Sequence, residues 1–171
     1  GVKKPLLPTE RLWYRRSFKL PESFKEDRIL LHFGAVDWKA EVWINGIQVG
    51  EHTGGYYPFS FEITKYLKVG DNEIVVGVWD PTDSYGQERG KQSLKPKSIF
   101  YTAVSGIWQT VWLEAVPKSY IKSFKITPDI DREQVTLEIN AEAPSGAMIE
   151  VSIYEDGTKV SSARKGLGQA L

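Results

Sequence analysis

The chain has 171 residues, 41% of them hydrophobic and 12% aromatic, enough to bury one full core and begin a second. Lysine plus arginine total 22 and aspartate plus glutamate total 22, so there is no charge excess to hold nucleic acid or an anionic membrane surface. Cysteine is absent, which removes disulfides, thiolate nucleophiles and cysteine-based zinc sites together, and no apolar run approaches the roughly 20 residues of a membrane-spanning helix.

Period-2 alternation of β-branched and aromatic residues runs through nearly the whole chain, with turn residues between the runs, and this predicts an all-β fold. Tyr14, Arg16, Phe18 and Leu20 form one face of a first strand that ends at Pro21. Ile29, Leu31 and Phe33 form one face of a second, and Ala40, Val42 and Ile44 alternate with Glu41, Trp43 and Asn45 in a third. Asn45-Gly46 then predicts a tight hairpin, because both residues accept positive φ. Tyr57, Phe59, Phe61 and Ile63 follow, then one possible helical turn at TKYL (64–67), a Gly70-Asp71-Asn72 turn, and a strand with Ile74, Val76 and Val78 on one face.

The alternation breaks over 80–98, DPTDSYGQERGKQSLKPKS, a polar stretch longer than the usual connection and therefore a candidate functional loop. It resumes at 99–101 and in one run from Ile107 to Ala115, with Pro117 closing a first domain, 1–117. Three shorter strands are predicted at 121–127, 134–141 and 148–154, with an Asp156-Gly157 turn before 158–161, so that 118–171 holds too few strands to close a second sandwich. The N-terminus has no signal-peptide pattern, Gly1 stands where a starting methionine is absent, and the final GLGQAL carries no cap or charge cluster, so both ends are read as breaks in a longer chain.

No nucleophile–base set, phosphate loop or metal-ligand spacing is present. The two histidines, His32 and His52, are expected to be hydrogen-bonded structural residues. No metal or other cofactor is expected, and no catalytic acid is assigned. Six tryptophans, eight tyrosines and seven phenylalanines suit stacking on sugar C–H faces, although most of them are expected in the core. Trp13, Trp38, Phe59 and Trp108 are assigned to packing, Trp43 and Trp112 fit either role, and Gly34, Gly46, Gly55 and Gly106 are assigned to tight backbone positions.

Four blocks in order, LWYRRSFKLP (12–21), RILLHFGAVDWKAEVWINGIQVGEHTGGYYPFSFEIT (28–64), NEIVVGVWDPTD (72–83) and SGIWQTVWLEAVP (105–117), resemble the N-terminal domain of family 2 glycoside hydrolases, the β-galactosidase, β-glucuronidase and β-mannosidase group. The resemblance implies a jelly-roll, galactose-binding-like β-sandwich followed by a partial immunoglobulin-like β-sandwich. It also implies a catalytic TIM barrel in the same parent chain, carrying two glutamates of a retaining mechanism, with carbohydrate as substrate, no nucleic acid or membrane partner, and a periplasmic or extracellular location. By that likeness this stretch is inactive alone and shapes a site at which it does not catalyse. Some family members place a sugar-contacting acid just before the SG of the last block; here 99–104 read IFYTAV, so that contact is not carried over. Asp80, Asp83, Arg89, Lys91, Gln92 and Tyr101 are instead expected to face the barrel's cleft, on the strength of the loop's length and hydrogen-bonding density. A free-standing carbohydrate-binding module, or a structural domain with no ligand, is the competing reading.

Overall fold

The computed structural model describes residues 4–24 and 28–167. The chain is built almost wholly of strands and divides into two compact units, Gly1–Ala115 and Val116–Leu171.

The first unit contains β1 (Leu12–Phe18), β2 (Arg28–Phe33), β3 (Val36–Asp37), β4 (Lys39–Ile44), β5 (Ile47–Thr53), β6 (Phe59–Glu62), β7 (Asn72–Trp79), β8 (Gln92–Ser93), β9 (Tyr101–Thr102) and β10 (Gly106–Ile107), and leads into β11 (Val111–Val116). A four-stranded sheet runs β1-β7-β4-β5 and a three-stranded one β11-β2-β6. Each has one apolar face, and the two faces meet in a single core. Ile29, Leu31 and Phe33 from β2 meet Ala40, Val42 and Ile44 from β4 and Val76 and Val78 from β7, none more than 2% exposed. The period-2 pattern places these residues: the intervening side chains of β2 and β4 are only partly buried, as a half-solvated strand requires.

Turn chemistry fixes the register. Asn45 (φ 51°) and Gly46 (φ 82°) make the β4–β5 hairpin, as the dipeptide predicts. Asn45 then ties the hairpin to β7 and the turn before it through its side chain: Nδ2 donates to the Tyr66 carbonyl and to Asn72 Oδ1, each at 2.8 Å, and Oδ1 accepts from the Glu73 N–H at 3.0 Å. Asn72, 2% exposed, is a buried polar residue made tolerable by complete pairing. Its amide also bonds the Lys68 N–H and the carbonyls of Lys68 and Gly70. The helical turn expected after Ile63 is a 3₁₀ turn at Thr64–Tyr66.

Two sequence expectations need adjusting. The single run expected from Ile107 to Ala115 is broken, because the N–H groups of Trp108 and Gln109 both turn onto the Ala35 carbonyl, at 3.3 and 3.4 Å, separating β10 from β11. Trp13 and Trp108 do not lie in the core; they are 60% and 52% exposed, and the Trp13 ring packs on the outer face against Gly77 and Trp43. Period 2 says which residues share a face, not whether that face is covered.

The second unit holds β12 (Tyr120–Asp129), β13 (Gln134–Glu142), β14 (Met148–Glu155) and β15 (Thr158–Gly166), paired as two antiparallel hairpins, β12–β13 and β14–β15. The strands are longer than their apolar cores suggest, because polar residues at both ends continue the ladder. Asp156-Gly157 makes the β14–β15 turn with φ of 45° and 80°.

Phe33, fully buried and stacked on Phe59 at 4.7 Å, is the largest side chain of the core. Phe33→Ala is expected to cost about 3–5 kcal/mol in urea unfolding, from lost transfer energy plus a residual cavity. A loss below about 1 kcal/mol would mean that the two sheets do not share this core.

Candidate functional site

The site begins where β7 leaves its sheet. The next residue, Asp80, is 1% exposed and its carboxylate is a junction. Oδ1 accepts from the Thr82 N–H and from Gln87 Nε2, both at 2.7 Å, and Oδ2 accepts from the Ser105 hydroxyl at 2.5 Å. The first bond is the short-range turn that aspartate makes two residues ahead of itself, and the third reaches the start of β10. One side chain thus closes the loop on the sandwich.

Asp83 is a second brace. Its Oδ2 accepts from the Ser93 hydroxyl at 2.9 Å and the Leu94 N–H at 3.1 Å, with Arg89 Nη1 3.6 Å away. Burial pushes this carboxyl up, but the donated bonds from Leu94 and Ser93 and the Arg89 charge outweigh it and hold the group below its ordinary value. Arg89 also donates to the Gln92 carbonyl at 3.0 Å. Gln92 spans inward and outward: its Oε1 accepts from the Val104 N–H at 2.6 Å and its Nε2 lies 3.5 Å from Asp37 Oδ2. The Tyr101 N–H donates to the Lys91 carbonyl at 2.8 Å, and β8 and β9 pair in parallel.

The six residues expected to form the site therefore divide in two. Asp80, Asp83, Arg89 and Gln92 have polar groups engaged within the loop, whereas Lys91 and Tyr101 are exposed, Tyr101 by 65%.

A pocket of about 270 Å³ opens beside this loop, lined by Asp37, Tyr56, Gln92, Val104, Ser105 and Trp108. Asp37 lies on the two-residue strand β3, paired with Gly106 of β10. Asp37 is 6% exposed, and its Oδ1 is buried with no hydrogen-bond partner. Gly55 stands against that oxygen, so close that a Cβ would come within 2.7 Å. Gly106, at φ 104°, leaves no room either, since a Cβ would collide with the Tyr14 hydroxyl. Burial, helped by the Asp80 charge and opposed by the Gln92 amide, raises the Asp37 pKa to about 6. On the pocket's rim, Trp108 donates Nε1–H to the Gly55 carbonyl at 2.8 Å, and Tyr56 meets it edge-on with ring centroids 5.8 Å apart.

The sequence singles out neither Asp37 nor Tyr56, and it assigns Trp108 to packing rather than to a site. An acid between Val36 and Trp38 in an otherwise apolar stretch was the available signal. The histidines differ from each other: His32 bonds Glu114 at 2.8 Å as expected, while His52 Nε2 is buried without a partner and the ring stacks on Phe59 at 4.1 Å. A larger groove of about 990 Å³ runs along β1, but it is the seam between the sheets, reaching core residues such as Phe33, Ile44 and Val76. Among the described residues no group of three or more His, Cys, Asp or Glu is placed to hold a metal ion, and no helix is long and apolar enough to cross a membrane.

The Asp37 carboxyl makes stability fall with rising pH. Its folded pKa is raised from 3.8 to about 6, so the folded state holds the proton more tightly than the unfolded one. The cost of ionisation accrues between those two values and is complete above about 6. Asp37→Asn is expected to raise stability by about 2–3 kcal/mol at neutral pH, with the gain vanishing near pH 4. Thermal melts of both chains across that range check this, and a pH-independent difference would remove the ionisation from the account.

Residues 2–117 match the model of "Glycosyl hydrolases family 2, sugar binding domain". A β-galactosidase of Thermoanaerobacter pseudethanolicus is 33% identical over 158 residues, covering 88% of this chain and 20% of that protein. The β-glucuronidase of Rattus norvegicus is 28% identical over 170 residues, with 87% and 26% covered. Among solved structures, a β-glucuronidase of an uncultured Clostridium species superposes with a TM-score of 0.74 at 28% identity, covering 90% of this chain and 28% of that one. The chain thus spans between a fifth and under a third of the length of these relatives.

Proposed function

This chain belongs to glycoside hydrolase family 2 through its sugar-binding domain, and from that premise we propose that it is the non-catalytic part of a longer glycosidase, helping to shape a sugar site completed by a catalytic domain. In this reading 1–117 is the sugar-binding domain and 118–171 supplies the first strands of an immunoglobulin-like domain. The observation that carries it is the family match across the whole first sandwich, taken with the small share of each relative that the chain spans. Hydrolysis itself belongs to two carboxyl groups on the catalytic domain, which in a retaining enzyme stand about 5–5.5 Å apart. The partner is that domain, in the same parent chain, and the substrate class is carbohydrate.

The loop after β7 is where such a domain contributes. The active site of a TIM barrel lies at the mouth formed by its βα loops, where a neighbouring module's loop can complete the pocket. Asp80, Asp83, Arg89 and Gln92 brace the loop from within, and of these six residues Lys91 and Tyr101 are the exposed ones it can offer a sugar.

Kinetics on the full-length protein test both levels. The parent enzyme is expected to hydrolyse aryl β-glycosides while the 171-residue chain turns over none. Lys91→Ala and Tyr101→Ala are expected to lower kcat/KM by about tenfold, as lost contacts of about 1.4 kcal/mol would. Unchanged kcat/KM in both variants would take the loop away from the substrate; hydrolysis by the short chain would overturn the non-catalytic reading.

A further inference from the structure

We propose that the groove along β1 is the slot for one further strand, supplied by the parent chain from outside these 171 residues, which pairs with the outer edge of β11 and sets a carboxylate against Arg16. The inference rests on the reading of the chain as part of a longer protein and names what one side of the sandwich receives from it.

The widths of the two sheets point there first. β1-β7-β4-β5 is four strands wide and β11-β2-β6 is three, so the layers cannot cover each other from side to side. On one side their edges meet, with the Phe61 ring of β6 against Gly50 of β5. The shortfall therefore falls on the other side, opposite β1 and beside β11, where the groove of about 990 Å³ opens. Its walls include Tyr14, Arg16 and Phe18 of β1 and Val111 and Leu113 of β11, and it reaches down to Phe33 of the core. Val111 lies on the same face of β11 as Leu113 and Ala115, which pack on the core, yet it is 37% exposed. An inward apolar residue left wet marks a place where a packing layer is missing.

Backbone and charge select the occupant. Among the described residues β2 is the only sheet neighbour of β11, so its outer N–H and C=O groups form a ladder that an extended segment completes. A strand beside β11 would run for about 20 Å and send every second side chain into the groove. Arg16 faces that space. Alternation places it with Tyr14 and Phe18, and its ladder partner Ile74 packs on the core. Its neighbours Arg15 and Lys19 are paired with Glu73 at 2.7 Å and Asp71 at 3.7 Å, whereas Arg16 has no hydrogen bond or ion pair among the described residues. A strand laid over the groove buries that guanidinium and must bring it a carboxylate. A second copy of the same face would bring another arginine instead. The parent chain has ample length to supply the strand, since 158 aligned residues cover only 20% of the β-galactosidase relative, and a tethered segment acts at a high effective concentration.

Hydrogen exchange and photo-cross-linking on the longer protein test this. The peptide spanning β11 is expected to exchange at least about tenfold more slowly in the longer protein than in the 171-residue chain. Arg16→Gln is expected to remove much of that protection in the longer protein and to leave the melting temperature of the 171-residue chain unchanged. With Trp112 replaced by the photoreactive p-benzoylphenylalanine, irradiation is expected to join β11 to a peptide of the same molecule outside the 171 residues, with alternating apolar and polar positions and an aspartate or glutamate among the inward ones. Circular dichroism of each variant separates a lost strand from lost folding. Equal exchange in the two chains, protection indifferent to Arg16→Gln, or a cross-link to a second molecule or to residues 1–171 alone would each overturn the proposal. Glycoside hydrolysis is a separate readout: a longer protein that hydrolyses its substrate with β11 unprotected leaves the domain reading standing and removes the strand.

Discussion

The buried Asp80 carboxylate is the interaction on which the functional end of the sandwich depends. It receives donors from the turn that follows it, from Gln87 within the loop and from Ser105 ahead of β10. A carboxylate without those donors would be costly at 1% exposure, and the long loop without the carboxylate would lose one of its ties to the sandwich, the contact of Gln92 with Asp37 of β3 being another. The same charge acts on Asp37 and helps to lift its pKa. Holding the loop down and tuning the pocket are therefore one electrostatic arrangement, and a change at Asp80 cannot alter the first without altering the second.

What the loop does follows from how its polar groups are used. A stretch so rich in Asp, Arg, Lys and Gln reads from sequence as a surface ready to bind. In the fold part of that capacity is spent internally: Asp83 on Ser93, Leu94 and Arg89, and Gln92 on Val104. Bonds of this kind hold the loop in place, while Tyr85, Glu88, Lys91, Lys95 and Lys97 stay exposed on it. The aromatic rim follows the same rule, with Trp108 held by the Gly55 carbonyl.

The sequence made the sheet framework legible because burial in a sandwich imposes period 2, and the faces carrying Ile29, Leu31 and Phe33 or Ala40, Val42 and Ile44 are those found inside. The Asn45-Gly46 and Asp156-Gly157 turns were legible for a local reason, since positive φ is a demand that few residues meet. The pocket was not legible. Asp37, Tyr56, Gln92 and Trp108 come from four separate segments and meet only through tertiary packing. Nor does alternation reveal exposure: Trp13 and Val42 both sit in well-formed strands, yet one is 60% exposed and the other 0%. The break after Ile107 escaped notice for a related reason, because its cause is the Ala35 carbonyl, more than seventy residues away in the chain.

The order of strands in the larger sheet has a consequence for how the chain assembles in time. β7 lies between β1 and β4, and Trp13 pairs with Gly77 while Ile44 pairs with Ile74. The β4–β5 hairpin closes over a two-residue turn, but β1 has no neighbour until β7 exists, and that closure spans some sixty residues. Local pairings form first and distant ones wait on the entropy of the loop they close. On a ribosome, the first strand to be made is thus the last of its sheet to find a place, and until then β7 presents a bare edge of backbone donors and acceptors to whatever chain is nearby.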